Sequence, residues 1–337
     1  MAGILDIEYV LPEKMVTNEQ LATLFKQWTA EKIYDNTGIH TRHVVENETA
    51  LDLAVRAVEK LFRNHTVGRK DIDIVIYVTQ SPDYIMPTSA CVLQDRVQLN
   101  KSTGSFDLNL GCSGYVYGLA VAKSFVDSGM ADYVLLVTAD TYSRYIHPFD
   151  KSTRMIFGDA ATATLIGRHG WQIGEFDFGS DGSGKDLFII PAGGLKTPCS
   201  EETRKEQEED GNIRTAENIY MEGPGIFDFT IREVPESIKR VLEREKLTKQ
   251  DVDLYVLHQA NRFMLDFLKK IMRINSDNFY INFSDIGNTA SSSVPIALKR
   301  AMEEGILQRA ETILLSGFGG GLSWATTVLR KENNDEY

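Results

Sequence analysis

Two segments far apart in the chain carry the same strand pattern, and this duplication constrains the fold more than any other feature. Asp71-Ile-Asp73-Ile-Val-Ile-Tyr-Val-Thr-Gln80 is apolar and β-branched behind an acidic start, which predicts a buried strand. Asp251-Val-Asp253-Leu-Tyr-Val-Leu-His-Gln259 repeats it. A further strand pattern follows each at nearly equal distance, over residues 131–138 and 310–316, with residues 105–110 and 278–283 between. Helical patterns precede the two first strands, over residues 49–63 and 225–245. Continuous apolar strands alternating with helices predict an α/β protein with mostly parallel central sheets packed in helix-sheet layers. The matched order and spacing predict two duplicated α/β halves, residues 1–172 and 173–331, followed by a frayed tail over 332–337.

Bulk properties narrow the function. A formal net charge of −12 argues against nucleic acid as the main partner, because phosphate binding needs a basic surface. No run approaches the roughly 18 apolar residues of a spanning helix, and the N-terminus lacks the basic start of a signal peptide. Three cysteines (Cys91, Cys112, Cys199) in 337 residues point to a reducing compartment without a disulfide framework. A cytoplasmic protein with no membrane contact is expected. Residues 196–218 are polar and heavily charged and read as a mobile surface excursion.

The chemistry concentrates where strands end. Gly111-Cys112-Ser113-Gly114 closes the 105–110 strand and opens a helical pattern running to about Asp127. A thiol at that junction meets the positive end of the helix dipole, which favours its nucleophilic thiolate. A buried structural thiol is the alternative, and Cys91, within an apolar helical pattern, reads as core, whereas Cys199 lies in the charged excursion. His258 in Leu257-His258-Gln259-Ala260-Asn261 stands at a strand end, as an aimed donor or as a satisfied core histidine. Asn288 in Ile286-Gly287-Asn288-Thr289 reads on its own as a helix cap. The run Gly317-Phe-Gly-Gly-Gly321 is not a dinucleotide motif, but it presents backbone N–H groups in the manner of an anion nest, or simply makes a tight turn. In two packed halves these strand ends face one cleft.

Together the blocks Gly-Cys-Ser-Gly, His-Gln-Ala-Asn, Gly-Asn-Thr and Phe-Gly-Gly-Gly resemble those of β-ketoacyl-acyl-carrier-protein synthase III, a condensing enzyme of thiolase-like fold. Asn36-Thr-Gly-Ile-His-Thr-Arg42, Ile156-Phe-Gly-Asp159, Ser293-Val-Pro295 and Ser323-Trp324 extend the likeness along nearly the whole chain. The resemblance implies Cys112 as nucleophile, His258 and Asn288 as its catalytic partners, and the Cys112 and Gly320 amides as an oxyanion hole. It implies a decarboxylative Claisen condensation of an acyl thioester with a malonyl thioester through an acyl-Cys112 intermediate, in general or specialised fatty acid synthesis. It implies no cofactor and no metal, and a homodimer. The alternatives are a non-decarboxylating acyltransferase serving an amine or alcohol, and a non-catalytic partner subunit. Hydroxymethylglutaryl-coenzyme A synthases use a glutamate where this chain has Gln80, which cannot accept the proton.

The same resemblance assigns substrate contacts to Met86, Phe157, Asn261, Lys32 and Lys151, and a carrier-protein patch to Arg262, Lys269 and Lys270, which otherwise read as a solvated helix face. Lys32, Asn36 and Lys151 stand where relatives primed by coenzyme A carry a tryptophan and arginines. Losing those planes weakens adenine stacking, so the expected donor is bound to an acyl carrier protein, with coenzyme A thioesters binding weakly. Trp28, one helical turn upstream, is a substitute if the local register is shifted.

Overall fold

The computed structural model describes residues 1–332. Its centre is one sheet whose strands lie in the order Leu254–Leu257, Thr312–Gly319, Ser323–Arg330, Trp171–Ser180, Gly3–Val10, Ala160–Gly167, Val134–Asp140, Ile74–Val78 and Gly104–Leu108. The sequence predicts mostly parallel pairing, but the sheet is mixed. Ile74–Val78 runs parallel to both its neighbours, as Leu254–Leu257 does to Thr312–Gly319, while the strands between pair antiparallel. The turn at residues 320–322 joins Thr312–Gly319 directly to Ser323–Arg330, which leaves no room there for the helical crossover that parallel pairing requires.

Side-chain alternation sorts the core into layers. Ile76 and Val78 point to one face together with Leu254 and Val256, and all four pack on the helices Gly114–Asp127 and Ser293–Glu303. The intervening Val75 and Tyr77 face the helix Ala50–Asn64, while Tyr255 and Leu257 face the helices Gly223–Glu245 and Arg262–Met272. The two inner helices are thus sandwiched between the two ends of the sheet. Each begins just after a candidate catalytic segment.

The repeat seen in the sequence extends to single hydrogen bonds. Asp73 Oδ2 accepts the N–H groups of Asp132 and Tyr133 at 2.7 and 3.1 Å. Asp253 Oδ2 accepts those of Glu311 and Thr312 at 2.8 and 3.0 Å. Each acid starts one strand and clamps the start of its parallel neighbour. In each half an aspartate two residues earlier, Asp71 or Asp251, caps a short 3-10 turn.

Four expectations need correction. Residues 278–283 form no strand beyond a single bridge between Phe279 and Tyr255, because Gln259 Oε1 takes the Asn282 N–H at 2.9 Å where a ladder partner would sit. Cys91 is exposed, on the outward face of the helix Ser89–Arg96. The charged excursion is folded: Gln207–Glu209 and Asn212–Arg214 form a hairpin, whose Ile213 N–H donates to Phe149 O and whose Asp210 carbonyl accepts Lys151 Nζ. Lys331 and Glu332 are tied down, through Glu311 O and the Gly170 N–H, and the rest of the expected tail lies outside the described residues.

Candidate active site

Cys112 follows the strand Gly104–Leu108 on a tight turn closed by the Gly114 N–H to Gly111 O at 2.7 Å. The turn places the thiol against the end of the strand Thr312–Gly319. A Cβ on Gly319 would lie 2.8 Å from Cys112 Cβ and 3.0 Å from Sγ, so any side chain there displaces the nucleophile. Ser113 Oγ and Ser323 Oγ are 2.7 Å apart, and Ser323 donates to Gly320 O at 3.1 Å, which joins the two halves at this point. Among the described residues neither the Cys112 nor the Gly320 N–H finds a carbonyl acceptor, which leaves both free for an oxyanion.

His258 caps the strand Leu254–Leu257, its N–H donating to Ser316 O at 2.8 Å. Its Nδ1 lies 2.6 Å from Ser293 Oγ, which also accepts the Gln259 N–H at 3.3 Å. Donation by the Ser293 hydroxyl to Nδ1 is the arrangement that leaves the imidazole proton on Nε2, away from Ser293, where a donor to substrate is needed. Burial pushes the His258 pKa down to about 3, so the ring is a neutral donor. In the sequence Ser293 stands out only as part of the shared Ser293-Val-Pro295 block. Its role depends on a contact between residues 35 positions apart, for which no local signal exists.

Asn288 reconciles its two readings. Its Oδ1 accepts the Ala290 N–H at 3.0 Å, as a capping residue would, and that bond frees the amide N–H groups for the cavity. The backbone is held by Asn288 N–H to Ile156 O and Gly158 N–H to Asn288 O, both 2.9 Å, and Gly287 (φ +74°) makes the close approach, where a Cβ would sit 2.7 Å from Ile156 O.

These groups meet in one cavity of about 480 Å³ whose lining includes Cys112, His258, Asn288, Gly319 and Gly320. Of the expected substrate contacts, Phe157 and Asn261 line it, Asn261 also capping the helix Arg262–Met272 through the Met264 N–H at 2.9 Å. Lys151 instead lines a separate groove with Trp28, Glu208 and Asp210, and Lys32 lies outside it with Nζ 4.5 Å from the Trp28 ring centre. Met86 is 80% exposed on a loop and lines neither space. On the helix Arg262–Met272, Arg262 and Lys269 both pair with Asp266 at 3.1 Å, which partly neutralises the expected basic patch, and Lys270 adds a further cation.

The electrostatics of Cys112 differ from the helix-dipole expectation. Burial first, and the Asp140 carboxylate second, push its pKa up to about 12, against the pull of its own backbone N–H. Asp140, which the sequence reading passed over, is fully enclosed, accepts from the Gln80 N–H at 2.8 Å and from Ser291 Oγ, and is pushed up to about 6 by burial. With a neutral His258 and no adjacent cation, the resting site holds a thiol. Alkylation of Cys112 by iodoacetamide is therefore expected to rise about tenfold per pH unit from 7 to 10. Peptide mapping separates it from Cys91 and Cys199, and a plateau near pH 7 would show that the helix terminus wins.

Comparison with known proteins places these features in context. Residues 106–182 match the family model described as 3-oxoacyl-[acyl-carrier-protein (ACP)] synthase III, and residues 242–331 match the model of its C-terminal part. The chain is 36% identical to a beta-ketoacyl-[acyl-carrier-protein] synthase III of Caldanaerobacter subterraneus subsp. tengcongensis, over 98% of this chain and 97% of the relative. A crystal structure of a 3-oxoacyl-(acyl-carrier-protein) synthase III superposes with a TM-score of 0.95 at 47% identity, covering 98% and 99% of the two chains. A 3-oxoacyl-(acyl-carrier protein) synthase from Burkholderia xenovorans superposes with a TM-score of 0.90 at 32% identity, covering 98% and 94%.

Proposed function

Because the chain belongs to the beta-ketoacyl-[acyl-carrier-protein] synthase III family, of thiolase-like fold, we propose that it condenses an acyl thioester with a malonyl thioester through an acyl group held on Cys112. The observation that carries this reading is the single cavity shared by Cys112, His258, Asn288 and Gly320. The Cys112 sulfur attacks the donor carbonyl, its proton leaves with the departing thiol, and the Cys112 and Gly320 amides hold the tetrahedral oxyanion. The malonyl thioester then enters with its carbonyl oxygen against His258 Nε2–H and the Asn288 amide. Loss of CO₂ moves negative charge onto that oxygen, and neutral donors aimed at it stabilise the charge as it develops. The carbanion attacks the acyl-Cys112 carbonyl, the β-ketoacyl thioester departs, and the sulfur recovers a proton. Asn288 polarises and orients without exchanging a proton.

The donor is an acyl carrier protein thioester. An adenosine 3′-phosphate entering the Trp28 groove would meet Glu208 and Asp210, while Lys151 is already held by the Asp210 carbonyl. The carrier docks against Arg262, Lys269 and Lys270. The loop carrying Tyr84, Ile85 and Met86, which are 58, 96 and 80% exposed, is apolar enough to require cover, and a second copy of the chain provides it, with Met86 approaching the partner's acyl site. No helix among the described residues is long and apolar enough to cross a membrane; three cysteines in 337 residues support a reducing, cytoplasmic setting for the enzyme. The halves 1–172 and 173–331 are taken as copies of one ancestral unit.

Incubation with an acyl-carrier thioester should add the acyl mass to Cys112. Subsequent malonyl-carrier should release CO₂ and a lengthened β-keto product. Transfer to an amine or alcohol without CO₂ would instead establish the non-decarboxylating reaction, and absence of any adduct would establish a non-catalytic partner.

A further inference from the structure

Beside the catalytic cavity lies a second groove of about 790 Å³ with two unlike walls. Phe188, Ile189, Ile190 and Ile219 make one apolar; Gln80, Asn109, Tyr142 and Tyr145 make the other polar and uncharged. Phe188 belongs to both spaces and forms the partition between them. Tyr142 packs in one cluster with Cys112, Phe157 and Ile219. The polar wall reaches the residue next to the nucleophile, since a Cβ on Gly111 would lie 2.5 Å from Gln80 Oε1 and 2.7 Å from the Tyr142 hydroxyl.

Gln80 is held at two points. Its N–H donates to Asp140 Oδ1 at 2.8 Å, and its Oε1 accepts the Tyr142 hydroxyl at 2.6 Å. The phenol therefore fixes the amide, and among the described residues its NH₂, the Asn109 amide and the Tyr145 hydroxyl have no protein partner; Gln80 and Asn109 are exposed, so water satisfies their amides until an acyl chain displaces it. No cation lines the groove, and burial first, then the nearby carboxylates of Asp140 and Asp83, push the Tyr145 pKa up. The space is amphipathic, rich in neutral donors and hostile to anions.

Taking the groove beside Cys112 as the space its acyl chain enters, we propose that Gln80 selects acyl groups bearing an uncharged oxygen, a hydroxyl or oxo group, over plain alkyl and over carboxylated ones. The inference rests on Cys112 as the acyl carrier. A site that offers a fixed donor to a substrate oxygen discriminates against the analogue lacking it, because the donor is then desolvated without a partner.

The test uses the full chain and N-acetylcysteamine thioesters, small donors that bypass carrier recognition, with intact-mass measurement of Cys112 acylation. With 3-hydroxyhexanoyl and hexanoyl donors in competition, the hydroxyacyl adduct is expected to form about fivefold faster, the effect of one neutral hydrogen bond, with a succinyl donor slowest. Gln80→Met should bring the hydroxyacyl-to-alkyl ratio close to one. Tyr142→Phe, which releases the amide from its anchor, should narrow the ratio independently. Equal rates in the parent, or an unchanged ratio in both variants, overturn the selection while leaving acylation of Cys112 intact. Absence of adduct from every donor would instead overturn the acyl-carrier role itself, and the selection with it.

Discussion

Replacing Cys112 by alanine is expected to lower condensation by at least about a thousandfold and to abolish the acyl adduct, since Cys112 is the only thiol among the described residues lining the cavity. The two half-reactions use different atoms, so they should separate. His258 and Asn288 remain in place, and slow CO₂ release from malonyl-carrier should persist, now independent of the acyl donor. Removing one sulfur from a site that is only 7% exposed leaves a small void, so thermal unfolding should shift by no more than a few degrees. Intact-mass spectra and labelled CO₂ release, measured on the same preparation, decide the matter. Condensation within tenfold of the parent would remove Cys112 from the mechanism.

His258→Ala and Asn288→Ala should each cost about 10²–10³ in condensation, the usual effect of deleting one preorganised donor to an oxyanion. Because both donors address the same oxygen, the double variant should lose less than the product of the single losses. Acylation of Cys112 should survive in both, since its oxyanion is held by backbone amides. Asn288→Asp should be worse than alanine: a carboxylate supplies no donor and sets negative charge against a developing negative charge in a buried site. The pH dependence carries a sign as well. With His258 pushed down to about 3, its neutral form persists across pH 5–8, and the decarboxylation rate of preloaded enzyme should show no histidine ionisation there. A rate that falls as pH rises through 6–7 would mean that the imidazolium, not the imidazole, is the working donor.

Much of the site was legible because strand ends announce themselves. An apolar run that stops at Gly111-Cys112 or at His258 marks where a side chain leaves the sheet, and the structure puts both in one cavity. Without the resemblance of its block, Asn288 was legible only as a cap, and its capping bond leaves the amide N–H groups for the cavity. Ser293 and Asp140 were not legible. Each works through a partner far away in sequence, Ser293 on His258 and Asp140 on Ser291, and neither leaves a local pattern. The charged excursion misled for a related reason. Polar composition predicts exposure, but it does not reveal that a hairpin folds back to occupy Lys151.

The layered α/β fold and the identity of the groups at the strand ends follow from periodicity and order, since side-chain alternation every second residue dictates which residues face the inner helices. Tertiary structure alone decided the protonation of Cys112. A helix N-terminus is a local feature that any strand-to-helix junction supplies, whereas the desolvation and the Asp140 charge that push the thiol up depend on how completely distant segments enclose it. The same holds for the pairing of Gln80 with Tyr142, which no spacing along the chain encodes.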